Sequence, residues 1–242
     1  MIIDPKTFDR FSAVLTGVIV PRPIAFVSTI SPDGVVNLAP YSFFNAVSYS
    51  TVVFSSSRNV GNKSKDTLRN IEETGEFVVN MATWELREKI ATTSRFVEPE
   101  ADEFEVAGLT KVPSRYVAPP RVAESPIHLE CRYHSTMTLP SNQRSTAHHV
   151  VLGNVVGIHI RDDVLTVDGK IDVLKIRPLA RLGYLDYTSV TISVLIFLSS
   201  IFANSSLALP HKDLPIKALA PLPTKFLISS VVLVLYPYFF IT

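Results

Sequence analysis

Short apolar runs, rich in β-branched and aromatic residues and separated by turn residues, occupy most of the chain. Residues 14–20, 24–29, 52–55, 77–81, 127–134 and 149–160 have this character and are predicted strands. Many short strands predict a barrel or a sandwich. Ser31-Pro32-Asp33-Gly34 supplies turn chemistry, since proline fixes φ and glycine tolerates positive φ, and it predicts a hairpin turn. Two segments change period. Residues 65–73 carry Leu68 and Ile71 three apart, and 84–91 carry Leu86 and Ile90 four apart, so both are predicted helices, with Ser64 and Thr83 as N-caps. Residues 95–126, rich in Glu and Pro, are expected to wander over the surface as a long loop with a little local structure. The fold class is therefore mainly β with helices (α+β).

The pattern changes near Tyr187. From Thr188 onward only Lys212, Asp213, Lys217 and Lys225 are charged, and all nine glycines lie before that point. A domain is drawn at 1–187 and a tail at 188–242. The tail holds two apolar stretches, 189–203 and 226–241, each shorter than the roughly 20 residues usual for a membrane-spanning helix. Two readings stand. A membrane hairpin would leave the lysines of its loop on the cytosolic side. Alternatively, the tail translates non-coding sequence: 28 of its 55 residues are Ser, Leu, Phe or Pro, which pyrimidine-rich codons supply.

At 242 residues the chain holds one ordinary domain with at most an appendage. Its 23 basic and 22 acidic residues leave a net charge of +1, so no global field steers it to nucleic acid or an acidic membrane. The single cysteine, Cys131, excludes an intrachain disulfide, a CxxC redox pair and a cysteine-built zinc site. The N-terminus does not resemble a secretory signal, and a cytoplasmic location is expected. There is no HExxH spacing, no GxSxG elbow and no GxGxxG fingerprint, so hydrolase, metalloenzyme and Rossmann readings are weak; no metal site is expected.

One ordered set of motifs remains. RPIAFVSTISPDGVVNLAPYSFFNAVS begins at Arg22, VVFSSSR follows from Val52 and KDTLRNI from Lys65; further on come Gly75-Glu76-Phe77, Asp102-Glu103-Phe104, Ser125-Pro126-Ile127, the run opened by His149, and Arg177-Pro178-Leu179-Ala180-Arg181-Leu182-Gly183. Each piece is short, but their order and spacing are hard to produce by accident. Together they resemble the flavin reductase-like family. The resemblance implies an antiparallel six-stranded split barrel with helices at its ends, a homodimer, and FMN bound near the subunit interface, with FAD as a substitute. It also implies NAD(P)H as a transient co-substrate.

The chemistry of these motifs suits a flavin. Ser64, Lys65, Asp66 and Thr67 at a helix start offer backbone N–H groups, a cation and a hydroxyl, the way helix N-termini hold phosphate. Lys65 and Thr67 are the preferred phosphate ligands; Asp66 would repel phosphate and is read as a capping residue. Ser55, Ser56, Ser57 and Arg58 add hydroxyls and a guanidinium at a strand end. Asn37, Leu38, Ala39, Pro40, Tyr41 and Ser42 read as a loop whose backbone meets the ring edge, with Thr29 pointing into the same pocket. His149 is the candidate to approach flavin or nicotinamide. The plainer alternatives are a solvated turn, an ordinary helix cap, a loop and a histidine at a barrel rim.

The leading functional expectation is an FMN-binding, NAD(P)H-dependent reductase that passes electrons to free flavin or a partner oxygenase. The alternatives are a non-catalytic FMN electron carrier and an inactive relative with an altered C-terminus.

Overall fold

The computed structural model describes residues 2–57, 65–94, 101–140 and 147–193. In chain order, helix α1 (Phe11–Val18) precedes β1 (Arg22–Pro23), β2 (Ala25–Ile30), β3 (Val36–Tyr41), β4 (Phe44–Ala46) and β5 (Thr51–Ser57). Then come α2 (Asp66–Thr74), β6 (Glu76–Met81), α3 (Arg87–Thr93), α4 (Glu103–Val106), β7 (Lys111–Val112) and β8 (Arg121–Val122). The long strands β9 (Ile127–Leu139) and β10 (His148–Ile160) follow, with α5 (Val173–Ile176), β11 (Leu179–Arg181) and β12 (Tyr187–Ser189) last.

The main sheet is antiparallel, in the order β3-β2-β6-β9-β10-β5-β4. Its two edges belong to one stretch of chain, because only Ser42 and Phe43 separate β3 from β4. β3 pairs with β2 through Val27↔Ala39, and β4 pairs with β5 through Asn45↔Val53. Counted as one bent strand, β3 and β4 close a six-stranded barrel, split at the bend. The expected fold class and strand number hold.

The barrel interior follows the period of two. Ala25, Val27, Tyr41, Phe54, Phe77, Val79, Cys131 and Val151 point inward, with the Phe54 and Phe77 rings edge to face at 5.7 Å. The alternate residues Phe26 and Leu38 face outward and meet Leu86, Ile90, Phe104 and Leu179 in a second core. Helix α2 stops at Gly75, whose φ of 76° places it in the left-handed region while its N–H bonds the Ile71 carbonyl at 2.9 Å.

Several local expectations are corrected. Residues 14–20 form no strand; α1 covers most of them, despite their β-branched content. Its last carbonyls are satisfied by the Arg22 guanidinium, which donates to Thr16 O and to Ile19 O (2.7 Å), and Pro21 bars continuation. Tertiary contact thus outweighs propensity there. The Asn37 to Tyr41 segment is strand, not loop. Pro40 is tolerated because β3 ends the hydrogen-bonded order of the sheet. Helix α3 starts at Arg87 because Thr83 is bridged to Pro178 and Trp84 N–H is bonded to Arg177 O, so Thr83 is not its N-cap. Ser64 lies outside the described residues. The predicted hairpin turn is present: Ser31 N–H bonds Val35 O at 2.8 Å and joins β2 to β3.

Two further differences concern the ends of predicted segments. Residues 101–126 hold α4 and the small β7–β8 hairpin within the expected loop. The pairing of β11 with β12, Arg181↔Tyr187 and Leu179↔Ser189, carries the sheet past the boundary expected near Tyr187. The tail beyond residue 193, with its two alternative readings, lies outside the described residues. Among the described residues no helix is long and apolar enough to cross a membrane.

Gly153 carries the interior of β10. A Cβ there would sit 2.2 Å from Phe77 Cζ, and Phe77 is fully buried. At Gly157 the neighbour is the Tyr116 ring at 2.5 Å, which is half exposed and free to swing away. Gly153→Ala is expected to destabilise the chain by about 1–3 kcal/mol through overpacking, and Gly157→Ala by well under half as much. Urea unfolding of the two variants checks the order.

Candidate functional site

The bend between β3 and β4 separates two compartments, because consecutive strand residues face opposite ways. Asn37, Ala39 and Tyr41 share the inner face with Thr29, their neighbour on β2. Leu38 and Pro40 share the outer face.

On the inner face the polar residues form a buried network. The Asn37 amide fits best with its nitrogen donating to Glu103 Oε1 at 3.2 Å and its oxygen accepting from the Thr67 hydroxyl at 2.7 Å and the Leu38 N–H at 3.2 Å. Leu38 N–H also donates to Glu103 Oε2 at 3.0 Å, and the Asn70 amide to Thr29 Oγ1 at 3.1 Å. Thr29, Asn37, Leu38 and Thr67 are all buried. This network ties the first turn of α2 and the short α4 to strand β3. Glu103 is its charged member. Burial pushes its carboxyl up to about 7 against the Leu38 N–H bond, with the charges of Asp66 and Asp102 acting the same way as burial.

Beside the network stands the start of α2, where Lys65 and Tyr41 meet. Lys65, the N-cap of α2, makes no capping bond with its side chain; its Nζ stands 5.5 Å from the centre of the Tyr41 ring, and burial lowers its pKa. Tyr41 Oη is buried without a hydrogen bond of good geometry. The Thr67 and Ser56 hydroxyls approach it, and burial pushes the phenol up to about 12. Asp66 pairs with Arg69 at 2.8 Å within the first turn of α2. Asp66 is the first residue of α2, which leaves Lys65 as the cap.

Strand β5 divides the serines. Ser56 points inward, paired across the ladder with buried His149, whose Nδ1 lies 3.1 Å from Thr138 Oγ1. Ser55 and Ser57 point outward. Ser55 Oγ is 3.4 Å from His148 Nδ1, and the His148 ring stands 6.2 Å from that of Phe43. Arg58 lies outside the described residues.

The outer compartment is a cavity of about 490 Å³ lined by Pro40, Ser42, Phe43, Arg22, Arg181 and Tyr187, among others. Pro40 and Ser42 are thus separated from Tyr41, although all three lie in the Asn37 to Ser42 segment expected to meet the ring edge together. Arg22, Phe43, Arg181 and Tyr187 were not singled out as site residues from sequence. Arg22 and Arg181 lay within the RPIA and RPLAR motifs, but the pairing of β1 with β11 that joins them spans almost the whole domain. Glu103 likewise lay within Asp102-Glu103-Phe104, with no local pattern to show that it reaches β3.

The flavin reductase like domain model matches residues 18–175. The chain belongs to the flavin reductase-like family. An uncharacterized protein of Aquifex aeolicus is 38% identical over 177 residues, covering 72% of this chain and 87% of that one. Among solved structures, nitrilotriacetate monooxygenase component B from Bacillus cereus is 32% identical, with a TM-score of 0.75, over 81% of this chain and 98% of that one. The Pseudomonas fluorescens 2-nitrobenzoate 2-nitroreductase is 27% identical, with a TM-score of 0.72, over 85% and 100%. Flavin oxidoreduction is the general chemistry of the class.

Glu103 sets a pH dependence. A carboxyl raised in the folded state contributes stability that is present below about pH 4.5 and lost as pH rises through 7. His128 opposes it at lower pH: burial lowers its pKa to about 4, so stability rises between about pH 4 and 6.5. Each contribution is on the order of 2 kcal/mol after allowance for solvent screening. Urea midpoints of the unmodified chain are expected to fall from pH 6 to 8, and those of Glu103→Gln to stay level; parallel pH profiles would refute this role for Glu103.

Proposed function

We propose that the chain is an NAD(P)H-dependent flavin reductase that holds FMN at the start of α2. The observation that carries this reading is the meeting of Lys65, the Thr67 hydroxyl in the first turn of α2 and the Ser56 hydroxyl of β5 around Tyr41. A phosphate needs these groups: a cation, backbone N–H donors and neutral hydroxyls. The donor set fits. Lys65 and the first N–H groups of α2 would take the phosphate, with Ser56 the nearest hydroxyl of β5 and Ser55 and Ser57 on that strand's other face. Thr67, Asn37 and Thr29 would act by holding the helix start in place, since their polar atoms are spent on the buried network. The backbone from Leu38 to Ser42 would meet the ring edge. Ser56 and His149 would line the inner wall.

Bound flavin supplies the hydride and electron chemistry, so the protein's task is orientation, hydrogen bonding and exclusion of water. No side chain need act as acid or base. FAD is a substitute to be tested beside FMN. Electrons would pass to free flavin or to a partner oxygenase, a reading supported by the likeness to a monooxygenase component. The likeness to a nitroreductase supports direct reduction of a bound small molecule as the second reading.

The working form is proposed to be a homodimer. Exposed Tyr49, Val156 and Ile158 line a groove of about 400 Å³ at the far end of β10, an apolar face suited to a second copy.

Three measurements test these points. The purified full chain is expected to oxidise NADH or NADPH only when flavin is present; stoichiometric flavin without such turnover would favour the electron-carrier alternative. Lys65→Ala is expected to weaken FMN about tenfold, the loss of one charge-assisted contact, and to leave riboflavin, which has no phosphate, within about twofold. Equal losses for both would place the phosphate elsewhere. Tyr49→Asp should shift the chain from dimer to monomer in sedimentation, and a monomeric unmodified chain would remove the dimer from the proposal.

A further inference from the structure

The outer cavity combines features that the flavin reading does not use. Arg22 and Arg181 are direct partners across β1 and β11, two like charges where a ladder ordinarily avoids them. Neither makes an ion pair with a carboxylate among the described residues. Arg22 is spent on backbone carbonyls, those of Thr16, Ile19 and Leu182. Its pKa is lowered by burial and by the charge of Arg181. Arg181 donates to Tyr187 Oη and Tyr184 O, which uses two of its five N–H donors. An uncompensated pair of guanidinium groups at a cavity favours an anion.

The walls narrow the choice. Phe43 and Tyr187 present rings beside the two cations, at 5.8 Å from Arg22 Cζ and 4.5 Å from Arg181 Cζ. Ile24, Ile90 and Leu185 supply apolar surface, and Ser42 a hydroxyl. The volume of about 490 Å³ lies in the range of small-molecule sites. Planar guanidinium groups match a planar carboxylate better than a point charge would.

We infer that this cavity binds a small aromatic carboxylate, its ring against Phe43 and Tyr187 and its carboxylate at Arg181 in the field of Arg22. The inference rests on the proposed flavin site only for the ligand's role, that of a co-substrate presented across the bend at Ser42.

Benzoate is the probe, titrated by calorimetry into the full chain saturated with FMN. Saturable binding of one benzoate per chain is expected, with benzamide and cyclohexanecarboxylate each at least about tenfold weaker. Arg181→Gln should lose at least about tenfold in benzoate affinity. Phe43→Leu should lose the preference for benzoate over cyclohexanecarboxylate and keep the preference for an anion over benzamide. Circular dichroism of both variants is the control for folding.

No saturable benzoate binding, an unchanged Arg181→Gln affinity in a folded variant, or displacement of FMN by benzoate would each overturn the inference. The two readings fail separately. A chain that binds FMN and ignores benzoate refutes the cavity's ligand alone. A chain that takes no FMN, and binds benzoate with this selectivity, refutes the flavin site alone.

Discussion

The barrel is closed by a strand that must serve two neighbours, and the rest of the molecule follows from that demand. β3 satisfies its hydrogen bonds on β2, and β4 satisfies its own on β5. No straight strand can do both, so the chain bends at Ser42 and Phe43. The bend interrupts the ladder between β3 and β4, and both compartments of the candidate site lie beside it. Chemistry is concentrated where the ladder is interrupted.

Holding that bent strand requires more than apolar packing. β3 lies at one end of the hydrogen-bonded order, and an edge leaves backbone groups to be satisfied from outside. Glu103 reaches Leu38 N–H from α4, and Asn37 joins the same carboxyl to Thr67 on α2. Burying a carboxyl costs stability unless it is well bonded or protonated, and the raised pKa of Glu103 expresses that cost. The helix start that carries Lys65 is therefore positioned by a polar buttress.

The barrel was legible in the sequence because its strands bury one face and alternate. The segments at residues 52–55, 77–81, 127–134 and 149–160 sit inside strands of the structure, and 24–29 lies in β2 apart from its first residue. What was not legible depends on contacts between distant residues. Residues 14–20 look like a strand by composition, and only Arg22, reaching back to their carbonyls, shows why they are helical. Pro40 made β3 look like a loop, because a proline argues against a strand unless its place at the edge is known. Within the site, Lys65 and the serines of β5 were readable as phosphate chemistry. The alternation that turns Ser56 inward and Ser55 outward needs the strand's bounds. The roles of Glu103 and Arg181 needed the tertiary fold itself.

Tyr41 and Ser42 are neighbours in the chain, only about 3.8 Å apart between Cα atoms, yet one belongs to the dry interior and the other to the outer cavity. The parity of a single strand sorts them. Losing Val35, just ahead of the strand, would exchange the two linings, sending Leu38 and Pro40 inward and Asn37 and Tyr41 outward. Such a deletion leaves composition almost untouched and inverts what each chamber can hold. A substitution along β3 changes one lining at one place, whereas a change in its length changes both linings at once.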